Sequence, residues 1–270
     1  LYTERIEKDQ MINVAIEAAL EAGKYLKANV GKFRQLERKI GQETNLVTEI
    51  DKGSEALIIR TIRSRYPDHA ILGEEGGASA GTSDVKWIID PLDGTTNFTH
   101  GLPLFCVTIG IEYRGEIIAG AIYDPNADEL FTAEKGKGAF LNGARIRVTA
   151  ADTLINSLLV TGFPYNIKEN PGKVVEHFTT FLPLAQGVRR LGSAAIDLAY
   201  VACGRFDGYW EVFLHPWDKA AGILLVKEAG GTVTNFNGDP GDIIYQPNTL
   251  ATNGVIHQQM LDVLAANLPL

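Results

Sequence analysis

The chain has 270 residues, 45% of them hydrophobic and 21% charged, a balance that lets it bury a real core in one large or two modest domains. Its 33 acidic and 25 basic side chains leave a formal net charge of −8, which argues against non-specific nucleic-acid binding and against an anionic membrane surface. An anionic substrate would need bound cations to offset that charge. No apolar run approaches the ~20 residues that span a bilayer. The N-terminus carries no signal-peptide-like apolar stretch, and because the sequence begins with Leu1 the initiator is expected to precede it. Cys106 and Cys203 have neither zinc-ligand spacing nor a CxxC arrangement, and two buried free thiols in a reducing cytoplasm are the expectation.

Along the chain, Ile12, Ala15, Ile16, Ala19, Leu20 and Leu26 recur at helical spacing over residues 5–29, with Gly31 as the stop. Residues 33–46 are charged and irregular. Thr48-x-x-Asp51 resembles a capping box at the start of a second helix that runs to Tyr66-Pro67. On that reading the pair does no more than cap. Residues 70–73 predict a short strand that ends in Glu74-Glu75-Gly76-Gly77. The acidic pair is either simply solvated or functional, and the Gly/Ala/Ser-rich stretch to Asp84 predicts a mobile loop. Residues 85–89 predict a buried strand that stops at Asp90. Alternation then predicts strands over 105–113, 117–123, 130–133, 139–141 and 145–148, with Asn142-Gly143 as a hairpin turn. Residues 1–148 thus read as two helices and an antiparallel sheet. From residue 150 strand and helix alternate: strands over 158–161, 206–212, 232–235 and 249–252, helices over 171–184, 196–204, 219–228 and 255–267. This α/β half, 149–270, is expected to pack on the first as one unit with a cleft between them.

The richest stretch is Trp87-Ile-Ile-Asp90-Pro91-Leu92-Asp93-Gly94-Thr95-Thr96-Asn97-Phe98. Pro91 cannot continue a central ladder, and Asp93-Gly94 is turn chemistry. Asp90 and Asp93 therefore face one point across a tight bend, where they repel unless a cation sits between them. Hard divalent ions, Mg²⁺ above all, suit such oxygens. A helix starting after Gly94 would point free N–H groups at the same place, ready for phosphate. The plainer alternative is a surface turn with two solvated aspartates. Asp218, after Trp217, offers another carboxylate at a helix start, most simply an N-cap. Small residues Ala220-Ala221-Gly222 in that helix suggest close backbone packing.

Together these stretches resemble the inositol monophosphatase family: Trp87–His100 its first signature, Trp217–Gly222 running to Gly231 its second, Gly73-Glu74-Glu75 its acidic loop, and Leu46-Val47-Thr48-x-x-Asp51 its early motif. The resemblance implies a layered αβαβα sandwich, Mg²⁺-dependent phosphomonoester hydrolysis with two to three ions, lithium inhibition and a homodimer. It implies that Glu74, Asp90 and the Leu92 carbonyl hold one metal, and that Asp90, Asp93 and Asp218 hold a second. Glu74 would also touch a third through waters. Thr95, with Asp51 behind it, would orient the attacking water, and the Gly94 and Thr95 N–H groups would hold phosphate. Gly192, Ser193, Ala194 and Glu211 match positions that hold a sugar or cyclitol. Arg189 and Arg190 either meet a second phosphate or are surface charge. His100 and His215 read as structural. Lys39 is a candidate phosphate neighbour whose register is open. Inositol 1-phosphate is the leading substrate, with NADP(H) 2′-phosphate and fructose 1,6-bisphosphate as alternatives. A non-catalytic metal-binding scaffold is the reading from another class.

Overall fold

The computed structural model describes residues 2–31, 36–39, 42–164, 167–168 and 172–266, with side chains described except at 2–9, 36–39, 42–48 and 172. The side chains of Thr48, Lys39 and the rest of the stretch at 33–44 thus lie outside what is described.

The first half runs α1 (Tyr2–Asn29), a β1 (Leu36–Lys39) and β2 (Gln42–Thr48) ribbon, α2 (Glu49–Arg65), β3 (Ala70–Gly73), β4 (Gly77–Ser79), β5 (Val85–Asp93), α3 (Thr95–Thr99), β6 (Cys106–Tyr113), β7 (Glu116–Asp124), β8 (Glu129–Glu134), β9 (Gly138–Leu141) and β10 (Ala144–Arg145). The second runs β11 (Leu158–Thr161), α4 (Gly172–Phe181), β12 (Gly187–Arg189), α5 (Ala194–Ala202), β13 (Gly208–Glu211), α6 (Pro216–Glu228), β14 (Thr232–Thr234), β15 (Thr249–Thr252) and α7 (His257–Ala266). An eight-stranded sheet has the order β10-β9-β8-β7-β6-β5-β3-β4 and a five-stranded sheet the order β12-β11-β13-β15-β14. The large sheet is antiparallel except where β3 runs parallel to β5. In the small sheet β11 runs parallel to both β12 and β13. The stretch after Gly76, expected to be a loop, instead returns as β4 to pair with β3. Asn142 and Gly143 both take positive φ, +48° and +80°, as the tight β9–β10 hairpin requires.

Side-chain alternation sorts these elements into layers. In the small sheet Leu159, Trp210 and Leu250 face Phe181 of α4 and Met260 and Leu264 of α7. Their chain neighbours Val160, Tyr209 and Ala251 face α5 and α6 on the other side, as a period of two demands. Those two helices also meet the large sheet through Ile88, Ile122 and Phe131. The opposite face of the large sheet, with Trp87, Ile89, Ile109 and Ile111, is covered by α1 and α2 through Ala15, Ala18, Ile58 and Ile62. The result is a helix–sheet–helix–sheet–helix sandwich.

The small residues of α6 let it sit unusually low on the large sheet. A Cβ on Gly110 would stand 2.8 Å from the Ala220 Cβ, one on Gly120 would stand 2.8 Å from the Ala221 Cα, and one on Gly222 would stand 2.6 Å from Leu198. Where the helix crosses β6 and β7, glycine on the sheet thus faces alanine on the helix. This contact sets how far the start of α6 reaches toward β5. Gly120→Ala is therefore expected to overpack the interface and cost about 1–3 kcal/mol, seen as a lower urea midpoint with an unchanged m-value.

Candidate active site

The bend after Ile89 is built differently from a simple strand end. Asp90 pairs with Thr108 and Asp93 with Cys106, so β5 does not stop at Asp90 but passes through a bulge. Pro91, which has no N–H to give, falls in that bulge. The Leu92 N–H turns inward and donates to Asp90 Oδ1 at 2.9 Å. Gly94 follows at φ +96°, where a Cβ would stand 2.8 Å from the Leu104 carbonyl oxygen, and it leads into α3. Phe98 is buried and meets Phe105 edge-on at 5.1 Å, which fastens the short helix to the core.

Helix α2 clamps this bend from the outside. Thr95 Oγ1 lies 3.1 Å from both Asp51 Oδ1 and the Leu92 carbonyl oxygen. Ser54 Oγ donates to the Pro91 carbonyl at 2.9 Å. Glu55 accepts from the Glu75 N–H at 3.0 Å. A Cβ on Gly73 would stand 2.5 Å from Glu55 and one on Gly76 would stand 2.7 Å from it. Asp51, Ser54 and Glu55 share one helix face by their i, i+3, i+4 spacing, and all three are buried. Sequence reasoning found Asp51 and missed the other two. The spacing, continued by Ile58 into the core, was the available signal.

The second half supplies the facing wall. Ser193 caps α5 and donates to Asp93 Oδ2 at 2.6 Å, beside the Ala195 N–H at 2.7 Å. Gly192 precedes it at φ +92°, and Asn97 Nδ2 ties this turn to α3 by donating to the Leu191 and Leu104 carbonyls. Asp218 is not the N-cap of α6. It sits in the first turn after Pro216, and its Oδ2 accepts from the His215 N–H at 2.6 Å. Glu211 ends β13, where Tyr209 donates to its Oε2 at 2.6 Å. A Cβ on Gly162 would collide with Glu211 at 2.0 Å.

These pieces line one cavity of about 680 Å³. Glu74, Asp90, Leu92, Asp93, Gly94, Thr95, Gly192, Ser193, Ala194, Glu211 and Asp218 all contribute to its wall, and Asp51 stands behind Thr95. Arg190 joins them, its guanidinium 5.7 Å from the Phe163 ring; Arg189, exposed like Arg190, does not line the cavity. His215 lines the cavity, stacked on Trp217 at 4.8 Å; His100 does not. Cys106 is buried and Cys203 half-buried, both as free thiols.

Burial, then the charges of Glu74, Asp93 and Asp218, push Asp90 well above the usual carboxylate range. Burial likewise raises Asp218, with Glu74 and Asp93 adding to it. Asp93 is pushed up to about 6 by burial, against the pull of the Ser193 and Ala195 hydrogen bonds. Burial lifts Glu211 to about 7. Sequence reasoning also missed Asp197 on α5, fully buried, with no hydrogen-bond partner on either oxygen. Burial and the charge of Glu211 hold it protonated well above its ordinary range. Among the described residues, no three His, Cys, Asp or Glu side chains are already drawn together into a metal-ligating cluster. Asp90, Asp93 and Asp218 each rest on their own N–H or O–H donors instead. They share a wall and feel one another's charge. As a donor set they are hard oxygens whose mutual repulsion a divalent cation would relieve, which is the fit such an ion needs.

Asp93 has an ordinary value near 3.8 and a folded value of about 6. Between these the folded chain keeps a proton that the unfolded chain releases, so this group's contribution to stability falls as pH rises through that window. Asp93→Asn is expected to raise the melting temperature in chelator at pH 8 by a few degrees. The gain should shrink toward zero near pH 4, as read by paired thermal melts.

The sequence profile of the inositol monophosphatase family matches residues 7–268. An inositol-1-monophosphatase of Synechocystis is 46% identical over 256 residues, which span 94% of this chain and 88% of that protein. A protein of Escherichia coli K12 named Nus factor SuhB is 46% identical over 229 residues, spanning 84% and 86% respectively. The solved structure of an inositol monophosphatase from Anabaena matches with a TM-score of 0.87 at 44% identity, covering 97% of this chain and 98% of that one.

Proposed function

Because the chain belongs to the inositol monophosphatase family, it is a phosphatase of that type, and we propose that it hydrolyses inositol 1-phosphate with the aid of Mg²⁺. Glu74, Asp90 and the Leu92 carbonyl would hold one ion, and Asp90, Asp93 and Asp218 another. Such ions supply charge neutralisation at the phosphoryl oxygens and ease the ionisation of water. The rest falls to the chain. The Gly94 and Thr95 backbone N–H groups receive the phosphate. The attacking water donates to Thr95 Oγ1, which passes its own proton toward Asp51 Oδ1. Ser193 and Glu211 meet ring hydroxyls, Glu211 held in place by Tyr209 and by the bare backbone of Gly162. Gly192 and Ala194 leave room for the ring beside them. The halves 1–148 and 149–270 act as one unit, with the site between them. A cytoplasmic homodimer belongs to the same reading, and no described helix is long and apolar enough to cross a membrane.

The observation that carries the proposal is the Thr95 hydroxyl, 3.1 Å from both Asp51 Oδ1 and the Leu92 carbonyl oxygen. A threonine has one proton and two lone pairs. Committing the proton to the buried acceptors leaves a lone pair for water at the acidic wall. Thr95→Ala is expected to lower kcat about a hundredfold while half-saturation by Mg²⁺ stays within about threefold. Selective loss of Mg²⁺ affinity would make Thr95 a support for a ligand instead.

The substrate is tested by kcat/KM on inositol 1-phosphate, NADP and fructose 1,6-bisphosphate, with Mg²⁺ and with EDTA. Inositol 1-phosphate should lead, and EDTA should abolish turnover. Arg190 in the cavity wall favours a second anionic group, so a tenfold preference for either of the other substrates would displace the first. Turnover indifferent to EDTA would remove the cations from the mechanism. No turnover of any phosphoester would favour a metal-binding scaffold.

A further inference from the structure

The carboxylates that line the cavity are not held alike. Asp90 and Asp93 lie on β5, which has β3 on one side and β6 on the other. Asp218 lies in the first turn of α6, the helix packed between the two sheets. Glu74 is placed differently. It stands in the turn between β3 and β4, and β4 is the last strand of the large sheet, three residues long and exposed throughout. A sheet edge has a hydrogen-bonding neighbour on one side only, so strand pairing gives this turn little support.

The support comes from α2. Near its end Arg63 donates to the His69 carbonyl at 2.6 Å and to Ser79 Oγ at 2.9 Å, which ties down the two open ends of the β3–β4 hairpin. Two turns earlier Glu55 holds the closed end. The Glu75 N–H donates to Glu55 Oε2 at 3.0 Å. Gly73 and Gly76 close around the same carboxyl: a Cβ on Gly73 would stand 2.5 Å from Oε2, and one on Gly76 would stand 2.7 Å from Oε1. The turn thus wraps both oxygens of a side chain that is 5% exposed, and Glu74, between these contacts, lines the cavity. One helical turn before Glu55, Asp51 holds Thr95. A single rigid helix therefore fixes both the Thr95 hydroxyl and the turn that carries Glu74, and helix geometry sets their separation.

Resting on the reading of Glu74 as an ion ligand, we propose that Glu55 is a positioning residue for that ion. By seating the turn 74–76 on its carboxyl, Glu55 holds Glu74 in the cavity it shares with Asp90 and the Leu92 carbonyl, and so sets the affinity for the cation that these three receive. Outer partners of metal ligands govern affinity by about 10–100-fold.

The test is Mn²⁺ binding to the intact chain without substrate, read from the free-ion signal in electron paramagnetic resonance. Glu55→Ala is expected to weaken the Kd about tenfold or more, and Glu55→Gln, which keeps the length and the acceptor, to stay within about threefold of wild type. A double-mutant cycle asks whether the effect runs through Glu74: in a Glu74→Gln background, Glu55→Ala should change the Kd by less than about twofold. An equal loss in both backgrounds would overturn the proposal. So would a wild-type Kd in Glu55→Ala, or a Glu55→Gln Kd as weak as that of Glu55→Ala. At saturating Mg²⁺, kcat of Glu55→Ala on inositol 1-phosphate should recover to within about threefold of wild type. A kcat that stays low would put the role of Glu55 at Thr95 and reject its role at the ion. Thermal melts in EDTA check folding. If Glu55→Ala does not fold, Gly76→Ala, whose methyl group would press on Glu55 Oε1, takes its place; a weakened Kd supports the proposal and an unchanged one overturns it. A wild-type chain that binds no Mn²⁺ would remove the cations from the proposed function and this assignment with them. A Kd weakened by Glu74→Gln but unchanged by Glu55→Ala would reject this assignment alone.

Discussion

Carboxylates crowded into one wall are the constraint that the rest of the structure answers to. Asp90, Asp93 and Asp218 sit near enough to Glu74 and to one another for each charge to be felt. Burying such groups is costly unless each finds hydrogen-bond donors. Each has one close at hand: the Leu92 N–H for Asp90, Ser193 and the Ala195 N–H for Asp93, the His215 N–H for Asp218. These donors come from a bulge and from two helix starts, places where backbone N–H groups are free of their own ladder or helix. Secondary-structure ends that would otherwise be poorly satisfied thus meet side chains that would otherwise be poorly solvated.

Repelling groups drift apart unless the scaffold is stiff, and the stiffness comes from outside the cavity. Helix α2 uses one face twice. Ile58 and Ile62 enter the core beneath the large sheet, and one to two turns earlier Asp51, Ser54 and Glu55 hold Thr95, the Pro91 carbonyl and the Glu75 N–H. The outer helical layer is therefore part of the site's geometry. On the far side, Gly110 and Gly120 let α6 down onto β6 and β7, and that descent carries Asp218 to the bulge. Ser193 couples the two halves again by capping α5 and donating to Asp93 with the same side chain.

Asp197, its carboxyl pushed well above the ordinary range by burial and by Glu211, lies buried within α5, and Glu211, raised to about 7, accepts from Tyr209. Negative charge gathers at the β5 bulge, where Asp90, Asp93 and Asp218 feel Glu74, and Arg190, Phe163, Phe213 and Trp217 line the same cavity.

Much of this was legible in the chain itself. Alternation along 105–141, the Asn142-Gly143 turn, the helical spacing of residues 12–26 and the Asp90-Pro91-Leu92-Asp93-Gly94 sequence each encode geometry within a few residues, and local stereochemistry reads the same in every context. The small residues of α6 announced close packing without saying against what. Other features were decided only when distant segments met. The ladder resumes at Asp93 because Cys106 lies opposite it. Ser54 matters because Pro91 leaves a carbonyl within its reach. The Asp197 carboxyl is pushed up because burial and Glu211 act on it, and Phe213 lines a cavity with Glu211 and Leu214 held on either side. None of these follows from spacing along the chain, since each depends on the dielectric surroundings and the neighbours that folding brings from tens of residues away.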